Sequence, residues 1–584
     1  MSSATIRGAR PGSWSGTWMP VVLVVAAAAA VDVSAWVGEW LTPTGTDWGF
    51  NPLSVLLLWA TGTRIPPASV AMLAVFAAAL LWALVKVFKG RGRVSPAKKI
   101  RAKAELLASA EEVAAVTFPI RAAEARRMHP DNPDVFPGLH IGRWVLGSSE
   151  WLLQGLRQCA LFVMGPGRGK TTGLLVRAAR YTAGAYGMAG NKVDGVREVL
   201  AARAIWHPGG QVWMMDMQQV FRKSGKPSFT FNPLLGIKDS EQATNLAAVL
   251  EAATLGGGDK NGDAQFDEQG RSFLAACILA QALQAGTMEG VHEWVANADF
   301  LSPRRVLLEA PSRNPEEGMD FRRQADQLFG MSRQPADTKG SVAASAQRMA
   351  SSLIHDHLLA WIRPTAGVPE FDPAKYLTSH DTLIALSKGS SKVVTGLMTA
   401  FWESIFAMGE RLAEANGGRL KTPATFDLDE FGNTVILPKM PDWFTYFGSM
   451  GMNVRVFIQS EAFGKKVLGE AGWDTLRDAA GIWVFGGGVR DEAYLTSLSK
   501  LLGKHDEYVA SYTSNERGPA SRNISTRREE IFGADELFSL PMWHAIVHDA
   551  SSGVKTVVRI VPWFQDDELR GPIQAALDAG KERK

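Results

Sequence analysis

Cysteine is almost absent from this 584-residue chain: there are two, Cys159 and Cys277, both in apolar surroundings. Two thiols cannot build a disulfide framework, and their scarcity fits a reducing compartment. An excess of charge of one sign is also missing. Lys and Arg total 62 against 59 Asp and Glu, so no global basic surface exists, and any nucleic-acid contact must come from a local stripe or the lining of a ring. The ten histidines have no cysteine partners at zinc spacing; His544 and His548 lie four apart in a strand-like run without a third ligand. Strand-like runs are missing between Asp239 and Ile362, where the patterns at Asn245–Thr254, Phe266–Ala285 and Gly340–Trp361 are Ala-rich and helical. The glycine stretch 256–262 between them reads as a linker. Asp259, Asn261 and Asp263 have calcium-like spacing there, but the Gly and distal Glu of a calcium loop are absent.

What is present is sharper. The apolar run Gln158–Met164 is followed by Gly165, Pro166, Gly167, Arg168, Gly169, Lys170, Thr171 and Thr172, and then by a helix-compatible stretch to Ala183. Glycines at a strand-to-helix turn let backbone N–H groups converge on phosphate oxygens, and the helix N-terminus adds partial positive charge. In that setting Lys170 reaches the β- and γ-phosphates and the Thr171 hydroxyl ligates magnesium. One position departs from the usual pattern: the first glycine is replaced by Met164.

A second strand-like run, Ala424–Leu428, ends in Asp429-Glu430. Asp429 is placed to hold the magnesium shell and Glu430 to polarise an attacking water. Asp427 interrupts this run, which a strand buried on both faces would not favour. A third run, Val454–Ile458, ends in Gln459, a candidate γ-phosphate sensor or water-orienting residue. Arg477 and Arg490 flank the next strand as candidate arginine fingers. Asn191-Lys192-Val193-Asp194 matches a guanine-specificity signature, but it precedes the acidic pair and reads instead as a strand end. The expected cofactors are ATP and Mg2+, and the expected activity is that of an ATP-driven motor.

Two further runs have the length of membrane spans. Trp18–Val37 is apolar apart from Asp32, and Ala68–Val85 is uncharged over 18 residues. Eight basic residues and no acid lie between Lys86 and Lys103, so the positive-inside rule predicts a multi-pass protein of the inner or plasma membrane with its large C-terminal region in the cytoplasm. A competing reading takes residues 1–35 as a cleaved signal ending at Val33-Ser34-Ala35.

The expected fold class is α/β, a phosphate-loop NTPase with a mostly parallel central sheet, an all-helical insertion domain and two N-terminal transmembrane helices. Strands are predicted at Gln158–Met164, Ala185–Ala189, Gln211–Met215, Thr382–Leu386, Ala424–Leu428, Val454–Ile458 and Gly481–Phe485, alternating with helical segments such as Val393–Ala413. The corresponding domains are a cytoplasmic N-terminus at 1–17, a membrane anchor at 18–88 with spans at about 18–37 and 68–88, and a stalk at 89–150. The nucleotide-binding domain then comes in two segments, 151–238 and 363–569, split by the helical insertion at 239–362, and a tail follows at 570–584.

Several of these segments together resemble the TraG/TraD-type coupling proteins of conjugative type IV secretion. The resemblance is strongest from Asp381 to Lys504, through TLIALSKGS, LDEFGN (Leu428–Asn433), Leu437-Pro438, Met440-Pro441, FIQS (Phe457–Ser460) and LSKLLGK (Leu498–Lys504). Weaker echoes are PGLHIGRW, FNPL (Phe231–Leu234), ADELFSLP and IVPWF (Ile560–Phe564). The resemblance implies a membrane-anchored RecA-like ATPase, with Lys170, Thr171, Asp429, Glu430 and Gln459 in the hydrolytic site. It also implies a homo-hexamer that delivers relaxase-bound, single-stranded DNA to a secretion channel, with the helical domain handling substrate. An FtsK-like double-stranded DNA translocase and a mainly non-motor docking receptor for the relaxosome are the alternatives. The first would carry a terminal winged-helix reader, which is not visible after Leu569.

Overall fold

The computed structural model describes residues 19–48, 51–90, 95–130, 132, 135–147, 150–221, 226–255, 264–388, 392–513 and 521–582. It divides into two compact units, 1–95 and 96–584.

The first unit is helical, with helices Met19–Leu41, Pro52–Ala60 and Pro67–Gly90. Its small core gathers Ala35, Trp48 and Val55, with Trp59 edge-on to Trp48. Glu39 closes the connection after the first helix by accepting from the Trp48 indole at 3.0 Å and from the Thr44 hydroxyl. The two expected spans fall on the first and third helices, yet no helix among the described residues is long and apolar enough to cross a membrane. Asp32 lies inside the first helix and Glu39 near its end, and Lys86 and Lys89 end the apolar stretch of the third. The two transmembrane helices, the membrane as partner and the inner- or plasma-membrane localisation are therefore corrected. With them goes the topological role expected of the basic run from Lys86 to Lys103. The linker and calcium-like spacing at 256–263 lie outside the described residues.

The second unit is built on an 11-stranded sheet. Its strands are β1 Gly138–Trp144, β2 Trp151–Gly155, β3 Ala160–Val163, β4 Tyr186–Gly190, β5 Val212–Met215, β6 Thr382–Leu386, β7 Ala424–Leu428, β8 Met452–Ile458, β9 Ile482–Phe485, β12 His544–Asp549 and β13 Lys555–Arg559; β10 Lys504–Thr513 and β11 Ser521–Glu530 pair as a separate hairpin. The order is β2-β1-β13-β12-β9-β3-β8-β7-β4-β6-β5. From β9 to β5 all seven strands are parallel. β12, β13, β1 and β2 continue the sheet antiparallel.

The parallel strands are short and apolar because helices cover both faces. Alternate residues supply the two cores: Leu161, Val163, Val454 and Val456 face one, Ala160, Phe162 and Phe457 the other. Helix Lys392–Ala415 packs its apolar stripe, including Leu397, Phe401 and Ile405, into the first core. From Ser240 to Ile362 the described residues form helices joined by short connections and no strand, beginning with Ser240–Leu255 and Ala264–Leu283.

Some polar side chains inside this core are paired, while others, among them the Tyr376 hydroxyl and both Arg455 Nη atoms, have no hydrogen-bond partner among the described residues. Asp427, at the middle of the sheet, lies 3.2 Å from Arg455 Nε on neighbouring β8 and accepts from the Tyr186 hydroxyl on β4 at 2.8 Å. This partnership is what lets an acid sit in a strand buried on both faces. Arg203 satisfies carbonyls of Ala179, Thr182, Gly184 and His380, tying helix Val196–Trp206 to the lower ends of the strands.

Candidate nucleotide site

β3 hands the chain to the glycine turn. Met164 is fully buried, and its N–H donates to the Ile458 carbonyl at 3.0 Å. Its side chain lies against Gly486, where an added methyl would come within 2.4 Å of Met164 Cε. The need for glycine at the first loop position has thus moved across to Gly486-Gly487-Gly488. The Gly165 N–H donates to the Gly487 carbonyl at 2.9 Å, and a methyl on Gly165 would meet the Gly488 oxygen at 2.4 Å. Pro166 is exposed beyond this contact.

Gly167 (φ 70°) and Gly169 (φ 84°) take left-handed backbone conformations that side chains resist. Arg168 ties the outside of the turn to the Leu540 carbonyl at 2.9 Å, and burial lowers its pKa. The Trp543 ring covers Gly169 so closely that a methyl there would sit 2.1 Å from it. The backbone N–H groups from Gly167 to Thr171 find no acceptor among the described residues. They form a row of free donors at the start of helix Lys170–Leu175, which continues as Val176–Tyr181. Thr171 and Thr172 are half-buried on the first turn, with the Thr171 methyl against Gly195.

β7 brings the acidic pair to the same edge of the sheet. The Asp429 N–H donates to the Ala189 carbonyl at 2.9 Å, and Asp429 Oδ1 lies 3.4 Å from Lys170 Nζ. Lys170 is only 9% exposed, so this pair is largely withdrawn from water. Glu430 follows at φ 53°, a left-handed conformation that costs a non-glycine residue about 1–3 kcal/mol and is typical of functional turns. Its N–H donates to Asp429 Oδ1 at 3.0 Å. The Asn191 side-chain amide donates to Glu430 Oε2, and Lys192 Nζ stands 3.7 Å from Oε1. Gln459 directly follows β8, the strand between β3 and β7, and is half-buried.

Asn191 and Lys192, which pattern alone assigns to a strand end, do follow β4, but their side chains engage the Glu430 carboxylate. Leu540 lies in the ADELFSLP segment and Trp543 in no motif, and neither is marked in the sequence as touching the turn; the Gly486–Gly488 triplet is the signal that points to the facing loop. Arg477 is engaged by Asp474 at 2.9 Å and Asp478 at 3.0 Å on its own helix. His544 and His548 lie on β12, and no cluster of metal-ligating side chains occurs among the described residues.

Whether a nucleotide and magnesium fit is answered by the donor set. Five consecutive unpaired N–H groups beside a buried ammonium suit a polyphosphate, and a carboxylate next to that ammonium, with threonines on the first turn of the helix, supplies oxygen donors of the kind a hard cation takes. A glycine turn at a helix start, facing an acidic pair two strands away, places the protein in a class: an α/β protein with a large, mostly parallel sheet that carries both at one edge.

Within that class, residues 423–542 match the family model described as the TraM recognition site of TraD and TraG. The resemblance to TraG/TraD-type coupling proteins stands on this match, which spans the acidic pair and Gln459 and stops one residue short of Trp543. Among solved structures, the plasmid coupling protein TrwB with a non-hydrolysable ATP analogue is 17% identical over 70% of this chain and 86% of its own, with a TM-score of 0.49. TrwB with ADP and Mg2+ is 16% identical over 72% and 89%, with a TM-score of 0.46. VirB4 of Thermoanaerobacter pseudethanolicus is 11% identical over 73% and 96%, with a TM-score of 0.42. At these identities and scores nothing about the chemistry of this chain follows from them. The comparison with curated proteins finds no match.

Proposed function

We propose that this protein is a conjugation-related ATPase that couples relaxase-bound DNA to a type IV secretion channel, using ATP and Mg2+. The observation that carries the reading is the approach of Lys170 Nζ to Asp429 Oδ1, 3.4 Å apart at the edge of the sheet where β3 and β7 end. Lys170 and the N–H groups of Gly167 to Thr171 hold the β- and γ-phosphates, with Gly165, Pro166, Arg168 and Thr172 shaping the turn. Thr171 and Asp429 hold the cation, which when bound neutralises charge on the phosphate oxygens. Glu430 accepts the proton of the attacking water, and Gln459 orients that water or senses the γ-phosphate. The division of the nucleotide-binding domain into residues 151–238 and 363–569, around an all-helical insertion at 239–362, and assembly as a homo-hexamer, belong to the same proposal. The match to a TraM recognition site supports relaxosome-type partners.

The test is hydrolysis by the purified full-length protein with and without single-stranded DNA. Lys170→Ala and Glu430→Gln are each expected to lower DNA-stimulated turnover by about 10²–10⁴-fold while leaving the melting temperature in place. Turnover retained in the double variant would overturn the assignment.

A further inference from the structure

The far ends of the strands that carry Lys170 and Asp429 hold a second cationic feature. Arg157 lies in the turn before β3, and the loop 416–422 precedes β7, whereas the glycine turn and the acidic pair follow those strands. Parallel strands of four or five residues, rising about 3.3 Å per residue, set the two edges roughly 15 Å apart. At this second edge a cleft of about 700 Å3 opens between His129 and the loop that carries Arg419 and Lys421.

Arg419 is held in place by its own hydrogen bonds: Nε donates to the Ser449 carbonyl at 3.0 Å and Nη1 to the Met128 carbonyl at 3.2 Å. No carboxylate among the described residues pairs with Arg419, with Arg157 or with Lys421, the last two being exposed. His129 is 5% exposed, lines the cleft, and its Nε2 has no hydrogen-bond partner. Arg157 borders the same turn as Arg419: a methyl on Gly448 would meet the Arg157 carbonyl at 2.2 Å, and Arg419 bonds the carbonyl of the next residue, Ser449. Burial, and then Arg157, lowers the pKa of Arg419; burial, and then Arg419, lowers that of His129. Exposed Arg126 and Arg127 add charge in the last turn of helix Phe118–Met128.

Gathering like charges with no paired carboxylate among the described residues costs free energy that an anion would offset. The remaining lining includes Asn132, Asn416 and Thr422 and contains no aromatic residue. That suits sugar–phosphate contacts and lacks the aromatic anchors of a protein interface. We propose that this cleft binds the phosphodiester backbone of a nucleic-acid strand, with Arg419 and Lys421, which line it, and Arg157, just outside the lining, on phosphate oxygens. It requires nothing of the nucleotide site, so either assignment survives the failure of the other.

The experiment measures fluorescence anisotropy of a labelled single-stranded oligothymidine on the full-length protein across a salt series. Arg157→Gln/Lys421→Gln removes two cations that hold nothing else in place. It should weaken binding roughly tenfold at low salt and reduce the salt slope by about 1.4, the value for two lost single-strand phosphate contacts. Melting temperature and nucleotide binding should not change. Unaltered affinity and slope would overturn the proposal. So would binding of inorganic phosphate that is lost in the variant while the oligonucleotide is unaffected, or stronger competition by polyglutamate than by unlabelled oligonucleotide.

Discussion

Replacing Arg455 with Met should be among the most damaging single changes in the sheet, and the damage should vanish when Asp427 is replaced as well. At 3.2 Å and an effective dielectric of about 20, the Arg455–Asp427 attraction is about 5 kcal/mol, set against the cost of taking two charges out of water. Arg455 and Asp427 are 1% and 0% exposed, so removing the arginine strands a carboxylate whose other described partner is the Tyr186 hydroxyl. The expected loss is about 3–5 kcal/mol for Arg455→Met and close to zero for Asp427→Asn/Arg455→Met. In the double variant the rings of Phe162 and Phe457, 5.1 and 5.4 Å from the guanidinium, pack against the new methionine.

Burial already pushes Asp427 up to about 6, with Arg455 and then Tyr186 opposing the rise. A carboxyl whose folded pKa is raised contributes stability that is complete below its unfolded pKa near 3.8 and is lost as pH climbs through about 6. Removing Arg455 raises the folded pKa further, so the variant should be markedly weaker than the parent at pH 8 and close to it at pH 5. Urea denaturation of the full chain, followed by tryptophan fluorescence at both pH values, measures this. A single-variant loss under about 1 kcal/mol at pH 8, or additive losses in the double variant, would refute the reasoning.

Two other outcomes are cheaper to check. Gly169→Ala places a methyl 2.1 Å from Trp543 at a φ of 84°, so nucleotide affinity should drop at least about tenfold in equilibrium titration with a fluorescent ATP analogue; unchanged affinity would mean the turn tolerates a different path. Both cysteines are buried, Cys159 with its thiol pushed up to about 12 and Cys277 well above its ordinary value. A thiol reagent should label neither in native protein and two per chain in guanidinium; rapid native labelling would contradict the packing.

Elements that rest on local pattern are legible in the residues alone. Apolar runs such as ALFV, TLIAL and IWVF announce strands buried on both faces, and all seven strands read this way form the parallel region of the sheet. The strandless stretch after Asp239 is helical for the same reason, since a 3.6-residue period is written in neighbouring residues. β1 escapes because GLHIGRW mixes polar and apolar residues and pairs with a strand more than 400 residues away, while HAIVHD is legible as strand-like but not as a member of this sheet.

Which loops meet is settled by the folded chain and by nothing shorter. Folding sets β8 between β3 and β7, brings Asn191 and Lys192 onto Glu430, moves the missing glycine's role from Met164 to Gly486, and pairs Asp427 with Arg455. The N-terminal helices are legible as helices, but no helix among the described residues is long and apolar enough to cross a membrane, so an apolar run in the sequence is a poor guide to a span. Periodicity reports how a segment is buried; what it is buried against depends on strand order and side-chain reach, which no single stretch of chain contains.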